Sequence, residues 1–395
     1  MTVAVYLGLP KESGGLFQYA RTVLHSLARR SDHAERLVAL SPRGTEWGAV
    51  CASIGVEWHE VADFTLAQRV AGRLLRGRMS QSRWARTAMS RVTPLGRALD
   101  HLGADICIYS NSEHFAYELA TPSLIPIHDL MHRYESHFSE NRAYKDPDRL
   151  LRRICNGAGG ILVDSEVGRQ QVLDSYGPFS AQVFVLPYIA PDYVYDESVL
   201  APDPGIGTML ASLPAKYLFY PAQFWEHKNH VRLIDAVHNA SEKYPDVHLA
   251  LAGSRKNNYD AVVAHVAELG FESHVTLLGY VSDRAKLELY RHARALVMPT
   301  FYGPTNIPPL EAFQLGCPVA TSRIYGVPEQ LGEAALLFDP SSVAEIQEAV
   351  ERLWSDDDLC HALVRLGSER ARTWGPEQFS QRLWSIVDTV VASPR

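Results

Sequence analysis

At 395 residues, with 46% hydrophobic and 21% charged residues, the chain is long enough for two globular domains, each with its own core. Lys plus Arg number 38 against 45 for Asp plus Glu, a net charge of −7 that argues against a general nucleic-acid binder. Five cysteines (Cys51, Cys107, Cys155, Cys317, Cys360), an odd number without paired spacing, fit neither a disulfide framework nor a zinc site and read as reduced thiols. The first residues run straight into a strand pattern without a basic leader, and no run reaches the length of a membrane span, so a cytoplasmic protein is expected.

The first half alternates strand and helix patterns: strands at 3–7, 37–40, 106–109, 124–128, 161–163 and 183–186, with a helix over 16–30. That alternation predicts a doubly wound parallel sheet. Between the first strand and helix, Gly14 and Gly15 let the backbone approach a ligand at a helix N-terminus, or simply make a turn. Residues 64–99 hold eight arginines (Arg69, Arg73, Arg76, Arg78, Arg83, Arg86, Arg91, Arg97) and no Asp or Glu. Arg69, Arg73 and Arg76 follow helical spacing, with Val70, Leu74, Leu75, Met79, Trp84 and Met89 interleaved, as in a basic interfacial helix that docks on an anionic membrane. A solvated helix surface over a core-facing apolar side is the alternative. His128 ends a strand, where parallel sheets bind ligands, and reads equally as a capping or core histidine. His132, Tyr134, Glu135 and His137 follow on a loop, as acceptor contacts or solvated groups. The spacing of His128, His132 and His137 fits no standard metal site.

Residues 187–214, rich in Pro, Gly and Asp, break the periodicity and mark an interdomain linker. Strands then recur at 217–220, 247–252, 275–278, 295–298, 319–321 and 335–338, giving a second doubly wound sheet. Domains are therefore expected at 1–190 and 215–375, joined by a linker over 191–214, with an amphipathic helix in 376–395. Lys228 follows a strand at the mouth of a helix, where an ammonium neutralises a departing diphosphate, although most lysines are only solvated. Gly253 ends another strand. After the strand at 295–298, Gly303, Pro304, Thr305 and Asn306 supply a loop, and Pro308-Pro309 open a helix that holds Glu311 in its first turns. Free N–H groups at that helix start suit a phosphate, and Glu311 suits sugar hydroxyls; an ordinary strand-to-helix connection is the bland alternative.

The stretch GPTNIPPLEAFQLGCPV (residues 303–319) resembles the signature loop of the family-4 retaining glycosyltransferases, which have the GT-B fold and carry two glutamates separated by seven residues. The resemblance is specific mainly in the second half of the chain. It implies two doubly wound Rossmann-like parallel-sheet domains facing each other across a cleft, with the C-terminal helix crossing back onto the first domain. It implies transfer of a sugar, mannose as first expectation, from a GDP- or UDP-linked donor to a surface glycan or lipid-linked acceptor, with no metal or other cofactor. Glu311 matches the ribose-binding second glutamate, and the first falls on Gly303, so sugar contacts are expected from Gly303 to Ile307, including Thr305 and Asn306. Lys228 matches the phosphate-binding lysine, and Gln223 stands where an arginine is expected, so either Lys228, helped by His227 or Arg232, does more of the phosphate work or the other charge comes from elsewhere. His128 resembles the acceptor-domain histidine that bonds the donor, Gly14 and Gly15 the N-terminal glycine loop, and Gly279, Tyr280 and Val281 the stretch whose backbone holds the base. A sugar-nucleotide epimerase, or a non-catalytic sugar-nucleotide-binding protein, is the alternative.

Overall fold

The computed structural model describes residues 1–29, 35–62, 64–66, 68, 70, 82–113, 115–143 and 146–393. The chain divides into two compact units, the first made of residues 1–130, 144–188 and 376–395, the second of residues 131–143 and 189–375.

Unit 1 is built on a seven-stranded parallel sheet of β1 (Thr2–Tyr6), β2 (Arg36–Pro42), β3 (Glu57–Val61), β4 (Ile106–Tyr109), β5 (Ser123–Pro126), β6 (Gly160–Val163) and β7 (Gln182–Val185). Their order is β3-β2-β1-β4-β5-β6-β7, so the direction of winding reverses between β1 and β4. The central strands are buried along their whole length, as a sheet covered on both faces requires. β3 lies outside the strands expected from the sequence. Only Val61 of its EWHEV is buried, so this edge strand carries too little apolar signal to be read. Helix Gly15–Ala28 packs against helix Pro376–Ala392, where the buried Ser380 Oγ donates to Ser26 O at 2.6 Å.

Unit 2 carries a six-stranded parallel sheet of β8 (Leu218–Pro221), β9 (Leu249–Ala252), β10 (Val275–Gly279), β11 (Ala295–Met298), β12 (Val319–Ser322) and β13 (Leu336–Phe338), ordered β10-β9-β8-β11-β12-β13. Both doubly wound sheets expected from the sequence are present. Winding reverses between β8 and β11, and in open α/β sheets ligands bind beyond the carboxyl ends of the strands at such a reversal. The sequence places Lys228 after β8 and the glycine loop after β11, so both candidate elements flank this point.

The division of the chain differs from the expected one in two places. Residues 131–143, expected within the first domain, fold with unit 2. The segment expected to be a linker at 191–214 is also part of unit 2 and holds helices Asp192–Tyr195 and Ile206–Ala211, with Tyr193 fully buried. Pro and Gly broke the periodicity there without preventing the chain from packing.

Candidate active site

Beyond β8 the chain makes a 3-10 turn, Glu226–Lys228, and enters helix His230–Ser241 through Asn229, which is left-handed at φ 59°. Asn is a favoured helix cap, but this carboxamide is used elsewhere. Asn229 Nδ2 donates to Pro299 O (2.9 Å) and Pro340 O (2.8 Å), and its Oδ1 accepts from Arg232 Nη1 (3.2 Å). The helix therefore starts with no side-chain cap, two residues after Lys228 and with Arg232 in its first turn. Uncapped N–H groups, the helix dipole and two basic residues make an anion site. His230 is fully buried between Tyr220 and stacked Phe224. Burial, and then the charge of Lys228, push its imidazole down to about 3, so it is neutral.

The loop after β11 is tied to the same turn. Phe301 N–H and Thr300 Oγ1 both donate to His227 O, at 2.8 and 3.3 Å. Gly303 has φ +140°, a conformation side chains rarely adopt, and a Cβ there would lie 2.6 Å from Asn306 Oδ1. The Asn306 carboxamide thus occupies the space where a side chain of residue 303 would begin. Asn306 and Thr305 are buried, and Asn306 Nδ2 has no hydrogen-bond partner among the described residues. Gln330 clamps the Asn306 backbone, donating to its carbonyl at 2.8 Å and accepting from its N–H at 2.9 Å.

Helix Pro308–Gln314 corrects one expectation. Pro308 and Pro309 have no N–H, while those of Leu310 and Glu311 donate to Ile307 O at 2.9 and 3.2 Å. Its first turn therefore offers no spare amide to a phosphate; the uncapped amides lie at His230–Ser241 instead. Glu311, only 3% exposed, accepts from Tyr193 OH, from Lys286 Nζ at 3.0 Å and from Tyr290 OH at 2.9 Å. A carboxylate has about four lone-pair sites, so a single one remains for a ligand. Burial alone would depress the Lys286 ammonium, but Glu311 and then Asp283 hold its pKa raised.

Gly253, at the end of β9, is a forced glycine: a Cβ would lie 2.1 Å from Ala222 O, and its N–H is taken by Gly279 O at 2.7 Å. Gly279 is left-handed at φ +68°, Tyr280 beyond it is 69% exposed, and Val281 is half-buried. Gln223 Oε1 accepts from Trp225 Nε1 at 2.9 Å, so its amide braces the turn.

Unit 1 holds the remaining candidates. Gly14 (φ 61°) precedes helix Gly15–Ala28, which lacks a side-chain cap, and the space a Gly15 Cβ would take is open. His128 Nε2 donates to Ser110 O at 3.2 Å; since a carbonyl only accepts, Nδ1 is the acceptor for Tyr188 OH at 3.1 Å. Desolvation lowers the His128 pKa, which keeps this neutral tautomer. Both nitrogens expected to serve a ligand already have protein partners. Among the described residues no group of three or more His, Cys, Asp or Glu side chains is arranged to hold a metal ion.

Residues 211–370, which contain this turn, this loop and both glycine ends, match the family described as Glycosyl transferases group 1. They form a group 1 glycosyltransferase domain. The chain is 33% identical to the O-antigen chain mannosyltransferase B of Escherichia coli over 135 residues, 34% of this chain and 35% of that one. Alignments span little more than a third of the first curated relatives matched. Over nearly the whole chain the fold resembles a glycosyltransferase from Rickettsia africae (TM-score 0.74, 13% identity, covering 100% and 99%) and Anabaena HepE in complex with UDP and glucose (TM-score 0.72, 13%, 98% and 100%). At such identity these structures speak for the fold.

Within unit 2 the sequence missed Tyr193, Lys286 and Tyr290 around Glu311, and Asn229 before the helix of the anion site. Asn229 carried a local signal, an Asn directly before an apolar-periodic run; the others meet Glu311 only through the fold.

Two substitutions test the domain's geometry. Gly303→Ala is expected to cost about 1–3 kcal/mol in urea unfolding, since it combines strain at φ +140° with contact on Asn306. Glu311→Gln leaves the Lys286 ammonium without its closest carboxylate and is expected to destabilise by about 3 kcal/mol. In that background Lys286→Met should recover much of the loss; a second loss of equal size would mean the pair is not coupled.

Proposed function

We propose that the protein is a glycosyltransferase that moves a sugar, mannose as first choice, from a GDP- or UDP-linked donor to a hydroxyl of a surface glycan or lipid-linked oligosaccharide, with retention at the anomeric carbon. The observation that carries this reading is the joining of the Lys228 turn and the Gly303–Asn306 loop through His227 O at the winding reversal of a group 1 glycosyltransferase domain. The name of the Escherichia coli relative supports mannosyl transfer, and the UDP and glucose of the Anabaena protein support a nucleotide-sugar donor. The unpartnered Asn306 Nδ2 is a donor for a sugar oxygen, and the last lone pair of Glu311 serves the ribose.

In this reading Lys228 and the uncapped amides of helix His230–Ser241 stabilise the diphosphate as it leaves, and the acceptor hydroxyl attacks from the face being vacated. No metal ion is required, because these groups supply the positive potential. Incubation with labelled GDP-mannose or UDP-glucose and a glycan acceptor tests the proposal. Transfer gives free nucleotide and labelled acceptor, an altered donor sugar would mean an epimerase, and binding without turnover a non-catalytic protein. Lys228→Ala is expected to lower turnover about 10²–10³-fold, the scale for removing one transition-state stabiliser.

The lipid-linked acceptor would be met at an anionic membrane. Arg69, Arg73 and Arg76, together with Leu74, Leu75 and Met79, lie outside the described residues, so the proposal stands on what flanks them. Helix Arg83–Val92 exposes Arg83, Trp84 and Arg91, and Leu66 and Val70 are exposed, whereas Met89 is buried and belongs to the core. No helix among the described residues is long and apolar enough to cross a membrane. Co-sedimentation with anionic vesicles at low salt is expected, and loss of pelleting in an Arg69/Arg73/Arg76→Glu triple variant checks it, each basic residue contributing about 1 kcal/mol.

A further inference from the structure

Segment 131–143 folds with unit 2, and within it Phe138, Ser139 and Glu140 each grip the turn that carries Lys228. Glu140 Oε1 accepts twice from His227, from its backbone N–H at 3.2 Å and from ring Nδ1 at 2.9 Å. Ser139 Oγ donates to Glu226 Oε2 at 3.1 Å and accepts from Asn257 Nδ2 at 2.8 Å. The Phe138 ring lies 5.8 Å from Phe301 and 6.1 Å from His227. The Glu140 and His227 side chains are only 8% and 14% exposed, which keeps water from screening the pair. Burial alone would raise the Glu140 carboxyl, yet its bonds from His227 bring it down to about 2, so it is ionised at neutral pH.

A carboxylate that accepts from Nδ1 fixes an imidazole's orientation and favours its doubly protonated form. We propose that Glu140 is a positioning residue that holds His227 as an imidazolium beside Lys228, giving the site a further cationic donor for the diphosphate of the sugar donor. This rests on the glycosyltransfer reading. At the end of β8 Gln223, which stands where an arginine is expected, is neutral and bonded to Trp225, so His227 adds its charge to those of Lys228 and Arg232. Among the groups around His227 are Glu140 and Phe138 from segment 131–143, Glu226 and Lys228 on its own turn, His230 on the next helix, and Thr300 and Phe301 from the loop after β11. Arg232 is the further cation nearby, over the Phe301 ring at 5.2 Å. Lys228 opposes protonation of His227 and Glu140 favours it; His230, held neutral, does not share the role.

The test is calorimetric binding of GDP and UDP to the full chain between pH 6 and 9. Wild type is compared with Glu140→Gln, which keeps an acceptor oxygen and loses the charge, and with His227→Lys, a cation throughout that range. Ionisation of the nucleotide is common to all three proteins and cancels in their ratios. Relative to His227→Lys, wild-type affinity is expected to fall about 10-fold as pH rises and the imidazolium is lost, the scale of one charge-assisted hydrogen bond. In Glu140→Gln the same fall comes at lower pH. A wild-type to His227→Lys ratio that is constant across pH, or a Glu140→Gln profile that coincides with wild type, overturns the proposal while leaving glycosyltransfer intact. If wild type binds neither nucleotide, both readings fall. Should Glu140→Gln not fold, as judged by its melting transition, the comparison of wild type with His227→Lys decides.

Discussion

The candidate site in unit 2 depends on what the Asn229 carboxamide does. Its two donors reach Pro299 O after β11 and Pro340 O after β13, while its own backbone ends the turn after β8. A single buried side chain, 3% exposed, thus ties together three strand ends, and the left-handed backbone at φ 59° is the local cost of aiming it there. The consequence is chemical as well as structural. An Asn engaged in this way cannot cap the helix it precedes, so the amides of His230–Ser241 remain open to an anion next to Lys228. One residue both builds the scaffold and leaves the binding groups unsatisfied.

Glu311 illustrates the opposite arrangement. Its position in the sequence marks it as a ligand-binding carboxylate, yet most of its hydrogen-bonding capacity goes to Tyr193, Lys286 and Tyr290. A charge this deeply buried needs such partners, because desolvation is compensated only by close pairing and full hydrogen bonding. The network also explains why the segment expected to be a linker packs into unit 2: Tyr193, inside it, brings a hydroxyl to the carboxylate. What remains for a ligand is one well-oriented lone pair on a rigid group.

Most of the sheet architecture was legible, because buried parallel strands such as ALVM at β11 are short apolar runs between turn residues, and that pattern is local. The turn around Lys228 and the loop around Gly303 were legible for the same reason. Glu140 was not. It meets His227 from 87 residues away, and nothing in its neighbourhood distinguishes it from a solvated acid. Which helix N-terminus has open amides was also out of reach. The prolines at 308 and 309 and the carbonyl of Ile307 close one of them, and the distant partners of Asn229 open the other. Sequence patterns report what a residue is suited to, while availability depends on partners that only the fold supplies.

Gly303 and Gln223, the two positions where the sequence departs from the family's charged residues, are each accommodated by a neighbour. At 303 the backbone adopts φ +140° and Asn306 fills the vacated volume, so restoring a side chain there would meet both strain and contact. At 223 the amide braces Trp225, whose ring in turn carries Lys256 Nζ at 5.1 Å. Neither replacement is an isolated loss of charge, since each is bonded or packed into the loop that surrounds it. A glutamate at 303 would bring an acceptor, whereas Asn306 Nδ2 is a donor, which inverts the polarity of the group facing that side of the loop. A ligand oxygen that accepts from an amide would suit this position, and a group built to make that bond rejects a ligand lacking it because its own buried N–H would go unpaired.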